Sequence, residues 1–257
     1  MTTGVRLLAL HGFLGRPSDW DGPATHLPPG TTVHAIDLWA VVEKPGVTDW
    51  PSMSTALDAA LAGALEPGDA RPAFLVAYSF GARLALASAL AFGGGRGLRG
   101  TCLVSCNPGL DDADAAAREE RRASDEEWAR RIRTWPEPEI WRAWDAQPVF
   151  AGGGDGSARR EGLPASRETL ARVLTTFSLA AQPDRRTRLR QWRAPLLWVT
   201  GARDARFVSI AGSLAESGVP ATFITCEDAG HRVPWDNPAD FARALGAWMT
   251  RITETES

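Results

Sequence analysis

Short apolar runs alternate along the chain with stretches in which apolar residues recur at helical spacing. The runs hold five or six residues each and predict six strands: Val5–Leu10, Thr32–Ile36, Ala73–Ala77, Thr101–Ser105, Pro195–Thr200 and Thr222–Cys226. The stretches between them predict helices near Met53–Leu65, Phe80–Phe92, Val208–Ser217 and Pro238–Met249. Strands that alternate with helices predict an α/β fold, in which helices cover both faces of a mostly parallel sheet.

The alternation stops between residues 108 and 193. This stretch has no convincing strand, and it holds more than half of the arginines together with five tryptophans: Trp128, Trp135, Trp141, Trp144 and Trp192. The segment REERRASDEEWARRIR predicts a charged helix with weak amphipathicity. We therefore expect a helical cap, residues 108–193, inserted between two strands of an α/β core that residues 1–107 and 194–257 form.

The composition is typical of a globular protein, with 44% hydrophobic residues, 23% charged residues and a net charge of −3 over 257 residues. This balance argues against a nucleic-acid partner and against a polybasic membrane surface. The three cysteines, Cys102, Cys106 and Cys226, do not suggest a disulfide framework, and no Cys/His cluster has the spacing of a zinc site. The first apolar stretch is too short for a signal peptide, and no later one reaches the length of a membrane span. We expect a cytoplasmic protein without a metal.

Residues 74–90, FLVAYSFGARLALASAL, change from a strand-like run to a helix-like pattern at Ser79. A serine at such a sharp turn exposes its hydroxyl at the edge of the sheet, and its neighbours must be small because the backbone is crowded there. The segment AYSFG at 77–81 matches this nucleophile-elbow pattern, with Ala77 in place of the first glycine. The alternative is a buried serine that only satisfies the turn.

A serine nucleophile needs a base, and the base needs an acid that orients it. Asp204 follows one strand-like run and His231 follows the next, so both would emerge at the same sheet edge as Ser79. His231 is the only histidine after Ser79 in the chain. Asp228 is a competing acid, but its position so close to His231 favours a surface turn.

Backbone N–H groups beside Ser79 would stabilise an oxyanion that develops on a substrate. The segment LALHGFLG follows the first predicted strand directly. Its turn would direct the N–H of Phe13, or that of a neighbouring residue, toward the serine, where it would act together with the N–H of Phe80. His11 would then have a structural role and orient the loop.

Arg83 lies in the first turns of the helix after Ser79, where the positive end of the helix dipole disfavours a cation. It therefore needs a negatively charged partner. This partner is either a nearby carboxylate of the protein or an anionic group of a substrate that lies over Ser79. Several cap arginines could reach the same pocket as bidentate carboxylate ligands: Arg118, Arg121, Arg122, Arg159, Arg160 and Arg167.

The chain resembles the 2-succinyl-6-hydroxy-2,4-cyclohexadiene-1-carboxylate synthases, which are α/β-hydrolase-fold enzymes of menaquinone biosynthesis. The resemblance rests on LALHGFLG, LVAYSFGARLALASA, NPGLDD, REERRASDEEWARR, QPVFAG, FSLAAQPD, VTGARDARF and AGHRVPWDNP, between residue 8 and about residue 238. Three stretches depart from the family pattern: Ala77 at the elbow, LWAVVEKPG after Asp37, and SCNPGL before the cap.

The resemblance implies a lyase that eliminates pyruvate from 2-succinyl-5-enolpyruvyl-6-hydroxy-3-cyclohexene-1-carboxylate without a metal or an organic cofactor. It implies that Ser79, Asp204 and His231 form a catalytic triad. In this mechanism the serine removes a proton alpha to the succinyl carbonyl, and no acyl-enzyme forms. The substrate-binding residues that the resemblance implies are Tyr78, Arg83, Arg121, Trp144 and Arg167, with Arg160 as the second candidate for the last position.

Two other functions would use the same residues. An ester or thioester hydrolase would act through an acyl-serine and would give Arg83 no special role. A group of arginines is also an unfavourable host for an apolar acyl chain. A binding scaffold without activity would have no use for a complete triad. We expect the lyase, with a small polycarboxylate as its partner, in a monomer or a weak oligomer.

Overall fold

The computed structural model of the chain describes residues 4–65, 68–93, 97–151, 153 and 165–255. Its strands are β1 (Val5–Leu10), β2 (Thr31–Ile36), β3 (Ala73–Tyr78), β4 (Leu98–Val104), β5 (Leu196–Gly201) and β6 (Thr222–Cys226). Its helices are α1 (Asp21–Ala24), α2 (Leu38–Val42), α3 (Trp50–Ala64), α4 (Phe80–Ala85), α5 (Ala89–Gly93), α6 (Ala115–Thr134), α7 (Glu139–Asp145), α8 (Arg167–Thr176), α9 (Arg186–Arg190), α10 (Ala205–Glu216), α11 (Val233–Asp236) and α12 (Pro238–Thr255).

The six strands form one parallel sheet in the order β2-β1-β3-β4-β5-β6. This confirms the predicted α/β fold. Strand β3 is buried along its whole length, whereas the edge strands β2 and β6 carry partly exposed side chains. A strand with a covered face on each side needs a continuous apolar sequence, and AFLVAY in β3 provides it.

Side chains of each strand alternate between two apolar clusters, one on each face of the sheet. In β1, Leu8 and Leu10 belong to the cluster that α3, α4 and the cap helices cover. Leu7 and Ala9 belong to the cluster that α12 covers. The two-residue period of a strand produces this division, and the burial of both faces provides the main stabilising free energy of the fold.

Strand β4 begins at Leu98, three residues before the predicted start at Thr101. The glycine-rich sequence before Thr101 favours a loop, but Gly100 serves a packing requirement. A Cβ atom on Gly100 would lie 2.7 Å from the Trp248 ring of α12, which is closer than van der Waals contact allows. Glycine here lets α12 approach the sheet.

The single helix predicted over Phe80–Phe92 is wrong, because the structure has α4 and α5 with a break at residues 86–88. The carboxylate of Asp58 on α3 accepts hydrogen bonds from the Ser88 hydroxyl and from the Ala89 N–H, the latter at 3.1 Å. These bonds cap the start of α5 from a distant element.

The cap region lies between β4 and β5, and in its described part it contains helices and no strand. Helix α6 packs against α8. Ile132 of α6 and Leu170 of α8 are buried and join the same apolar cluster as α3. The helical character predicted for this stretch is thus observed, while its treatment as a separate domain stays a prediction.

Candidate active site

Ser79 lies between the last residue of β3 and the first residue of α4, at a sharp turn with φ of 50°. Its N–H donates a hydrogen bond to the carbonyl of Val104, at 2.9 Å, which fixes the turn to the end of β4. A Cβ atom on Gly81 would lie 2.5 Å from the carbonyl oxygen of His11. Only glycine fits at this position, and the positive φ at Ser79 is a strained conformation for a residue with a side chain.

His231 follows β6 and connects Ser79 with Asp204, which follows β5. Its Nε2 lies 3.0 Å from the Ser79 hydroxyl oxygen, and its Nδ1 lies 2.8 Å from Asp204 Oδ2. Because the carboxylate oxygen only accepts, Nδ1 carries the proton and Nε2 is left to accept the proton of the serine. His231 and Asp204 are both buried.

The surroundings of His231 hold it in this orientation. The Phe207 ring lies 4.6 Å from the imidazole, and the Ser105 hydroxyl donates to the His231 carbonyl at 2.7 Å. The second oxygen of Asp204 accepts from the Phe207 N–H at 3.3 Å. Asp228, the competing acid, is largely exposed and forms an ion pair with Arg203, so it does not orient His231.

The loop after β1 brings Phe13 beside Ser79. His11 is buried, donates from Nδ1 to the Gly12 carbonyl at 2.9 Å and accepts at Nε2 from the Leu38 N–H at 3.1 Å. These bonds give His11 the structural position expected for it. Among the described residues, no hydrogen-bond acceptor is bound to the N–H of Phe13 or of Phe80, so both remain available to an oxyanion.

A cavity of about 490 Å³ opens above Ser79 and His231. Phe13, Phe80 and helices of the cap line it. Among the residues expected to bind a substrate, Arg83, Arg121 and Trp144 also line it. Tyr78 lies behind Ser79 and borders a smaller cavity of about 90 Å³, where its ring packs 4.7 Å from Trp235.

Arg83 reaches the cavity wall from α4 with uncharged partners. Its Nε donates to Gln182 Oε1 at 2.6 Å, and one Nη donates to the carbonyl of Phe177 at 2.5 Å. Within the described part of the chain it forms no ion pair, so the protein carboxylate considered above as its partner is not found. Burial, together with the positive charge of Arg121, lowers the pKa of Arg83 to about 9. An anion bound in the cavity would reverse this destabilisation.

Arg121 and Trp144 form the cap side of the same wall. Arg121 donates to Asp125 Oδ2 at 2.8 Å, and this oxygen also accepts from the Ser178 hydroxyl at 2.6 Å. Trp144 packs between Phe13 and Trp128, with ring centres 5.1 and 5.0 Å away. The cavity thus combines a serine with an adjacent base, three arginine side chains (Arg83, Arg121 and Arg206) and aromatic walls.

Comparison with known proteins decides the family. A model of the alpha/beta hydrolase family matches residues 7–244. The 2-succinyl-6-hydroxy-2,4-cyclohexadiene-1-carboxylate synthase of Klebsiella pneumoniae subsp. pneumoniae is 34% identical over 246 residues, which cover 91% of this chain and 89% of that protein. The enzyme of the same name from Salmonella heidelberg is 34% identical over 252 residues, covering 93% and 91% of the two chains. This chain belongs to the 2-succinyl-6-hydroxy-2,4-cyclohexadiene-1-carboxylate synthase family.

Solved structures agree on the fold of this family member. MenH from S. aureus superposes with a TM-score of 0.82 at 22% identity and covers 98% of this chain and 96% of its own. A thermophilic esterase from Thermogutta terrifontis superposes with a TM-score of 0.69 at 22% identity, covering 97% and 91%. Both comparisons establish the α/β-hydrolase fold, which the sequence predicted.

In this synthase-family chain, Arg167 does not lie where the sequence suggested. Its guanidinium donates to the carbonyl of Ile132 at 2.5 Å and to that of Trp135, at the carboxyl end of α6. It is absent from the cavity wall. The expectation fails because Arg167 starts α8, and the packing of α8 on α6 directs its side chain toward carbonyls that have no partner within α6. Arg160, the second candidate, lies outside the described residues.

Two further cap arginines also have structural partners. Arg118 forms an ion pair with Asp112 and donates to the carbonyl of Ala180 at 2.8 Å. Arg122 pairs with Glu119 one helical turn away. Of the helix α6 arginines named as pocket candidates, Arg121 is therefore the one on the cavity wall. Arg159 lies outside the described residues.

The structure adds functional candidates that the sequence did not single out. Gln182 is fully buried and holds Arg83, and Trp128 and Arg206 line the cavity. Gln182 lies in the motif FSLAAQPD, which carried the resemblance but gave no indication of its contact with Arg83. Among the described residues, no group of three or more His, Cys, Asp or Glu side chains could hold a metal ion. None of the described helices has both the length and the apolar character needed to cross a membrane.

Proposed function

We propose that this chain eliminates pyruvate from 2-succinyl-5-enolpyruvyl-6-hydroxy-3-cyclohexene-1-carboxylate and forms 2-succinyl-6-hydroxy-2,4-cyclohexadiene-1-carboxylate, a step of menaquinone biosynthesis. The observation that carries the proposal is Arg83, a partly buried cation without an ion-pair partner in the described chain, on the wall of the cavity that contains Ser79. A small polycarboxylate supplies the charge that this site lacks. The relatives that cover about nine-tenths of the chain bear the name of this product. A cytoplasmic location is part of the same proposal.

The reaction begins with removal of the ring proton at C2, which is acidified by the adjacent succinyl carbonyl. His231 accepts the hydroxyl proton of Ser79 through Nε2 at 3.0 Å, and Asp204 stabilises the imidazolium that forms. The serine oxygen thereby becomes basic enough to take the C2 proton. The electrons of the C–H bond move to the carbonyl oxygen, and the N–H groups of Phe13 and Phe80 stabilise the resulting enolate.

Collapse of the enolate completes a 1,4-elimination. The C2=C3 double bond forms, the ring double bond moves to C4=C5, and the C5–O bond to the pyruvyl group breaks. The leaving group departs as the enolate of pyruvate and takes up a proton. Substrate and products balance without an oxidant, a reductant or a second substrate.

The main alternative is a hydrolase that forms an acyl-enzyme on Ser79, because the same triad supports that chemistry. The charge of the cavity argues against it. Arg83 lies on the wall without an ion-pair partner among the described residues, and an apolar acyl group beside it would leave this charge poorly solvated.

The test follows pyruvate and the conjugated diene by absorbance, with the substrate generated enzymatically. We expect fast release of both products, a loss of about a thousandfold or more in the Ser79→Ala variant, and an unchanged rate in Ser213→Ala, which alters an exposed serine of α10. Mass spectrometry during turnover should find no adduct on Ser79. A rate equal to the uncatalysed elimination, or an acyl group on Ser79, would overturn the proposal.

A further inference from the structure

Arg206 is the one arginine of the described cavity wall that the sequence analysis did not consider. It is the second residue of α10 and follows Asp204 by two positions. Its side chain is exposed, lines the cavity that contains Ser79, and has no hydrogen bond or ion pair with any of the described residues. The nearby Arg203 differs, because Asp228 neutralises it.

The position of Arg206 in α10 is electrostatically unfavourable. A cation in the first turn of a helix meets the positive end of the helix dipole, and α10 has 12 residues. The N-cap carboxylate of Asp204 offsets part of this effect through its bond from the Phe207 N–H, but it also accepts from His231 and forms no ion pair with Arg206. An anion in the cavity would stabilise the guanidinium, since the exposed side chain needs little reorganisation to form two parallel hydrogen bonds with a carboxylate.

The charged groups of the cavity wall fall into two sets. Arg83, Arg121 and Asp125 form one set at the buried end, because Arg121 pairs with the buried Asp125 and its positive charge also lowers the pKa of Arg83. Asp125 is already engaged by Arg121 and Ser178. Arg206 stands outside this set, next to Phe207, whose ring packs on His231. Glu120 of the cap, exposed on the same cavity, is the remaining acidic group of the wall.

The substrate of the proposed function carries three carboxylates. Two of them, on the ring and on the succinyl chain, stay on the diene product. The third belongs to the enolpyruvyl group and leaves with pyruvate. The two carboxylates that remain on the product are best bound by the arginines of the buried set. The carboxylate that leaves with pyruvate must reach solvent, so an exposed cation close to His231 is the better partner for it.

We propose that Arg206 binds the carboxylate of the enolpyruvyl group and thereby recognises the leaving group; this assignment rests on the proposed function. A cation at this carboxylate positions the C5–O bond during the elimination. Its exposure also lets the product pyruvate exchange with water after the bond has broken.

The experiment compares Arg206→Gln with Arg193→Gln. Arg193 is exposed, has no partner in the described chain and precedes β5, at the end of the sheet opposite the cavity, so both variants lose one positive charge. For each variant, KM and kcat are measured with the substrate, and the inhibition constant is measured for the diene product. We expect Arg206→Gln to raise KM by about fivefold to tenfold and to leave the inhibition constant of the diene unchanged. Arg193→Gln should change neither, and Arg206→Lys should recover part of the loss.

The results separate this assignment from the proposed function. Equal KM values for Arg206→Gln and Arg193→Gln would overturn the role of Arg206. A rise of KM together with an equal rise of the inhibition constant of the diene would overturn it too, because Arg206 would then bind a carboxylate that stays on the product. A wild-type protein that releases neither pyruvate nor diene would overturn the proposed function itself.

Discussion

The Arg83 guanidinium donates from Nε to Gln182 Oε1 at 2.6 Å, although the two residues lie 99 positions apart. Gln182 is fully buried, and its Nε2 donates to the Asn107 carbonyl at 3.2 Å, which fixes the orientation of the amide. The partner of this partly buried cation is thus a neutral group. A carboxylate would hold Arg83 equally well but would cancel its charge. The amide fixes the position of the cation and leaves its charge available to a substrate.

Replacement of the Gln182 amide by a carboxylate tests whether the charge of Arg83 must stay available to the substrate. In Gln182→Glu the new carboxylate should pair with Arg83, and KM for the polycarboxylate substrate should rise by about tenfold or more, because the pair forms where water is excluded. We expect a smaller change in kcat, since the variant leaves Ser79 and His231 untouched. Steady-state kinetics with Gln191→Glu, an exposed position at the end of α9, provides the control. An unaltered KM in Gln182→Glu would contradict this role.

The pH dependence of binding should follow the charge of Arg83. Burial lowers the pKa of Arg83 to about 9, because it disfavours the charged form. The protonated form binds the substrate and its fraction falls as the pH rises, so KM should increase toward alkaline pH. In Arg83→Lys the rise should begin at a lower pH, because a lysine starts from a lower pKa than arginine. The test is KM measured from pH 6.5 to 9.5 for the wild-type protein and for Arg83→Lys. Identical pH profiles of the two proteins would show that the charge of residue 83 does not control binding.

The elbow after β3 should tolerate no Cβ atom at residue 81. Gly81→Ala would bring a methyl group within 2.5 Å of the His11 carbonyl oxygen. We expect a loss of about 1–3 kcal/mol in the free energy of unfolding, typical of overpacking, together with reduced activity. Gly63→Ala is the matched control, since nothing lies within 4 Å of the corresponding Cβ position in α3. That variant should gain about 0.5–1 kcal/mol. Denaturant titration measures both, and equal stabilities would contradict the close approach.

Arg167 should contribute to stability and not to substrate binding. Its guanidinium satisfies two carbonyls at the end of α6, so Arg167→Ala should lower the free energy of unfolding by about 1–2 kcal/mol. KM should stay within about twofold of the wild-type value, because the side chain lies outside the cavity wall. Thermal unfolding and steady-state kinetics on the same preparation give both quantities. A raised KM at unchanged stability would restore the role that the sequence suggested.

Local sequence was sufficient for the sheet and for the chemistry at its edge. Strands such as β3 are short and buried on both faces, so their apolar runs are visible without any tertiary information. Parallel strands end at one edge of the sheet. Ser79, Asp204 and His231 each follow a strand, and their meeting could therefore be predicted from their order alone.

The sequence by itself thus determined the fold class, the elbow at Ser79 and the order of the three residues around His231. Only the tertiary structure decided which arginines face the cavity. Arg167 donates to carbonyls at the end of α6, and Arg206 is part of the cavity wall. Arg83 donates to uncharged groups that follow α8 in the chain. The physical reason is the range of the interactions. Strand burial and turn geometry are set by neighbours along the chain, whereas the direction of a long charged side chain depends on whichever distant carbonyls and amides the packing of the cap brings within its reach.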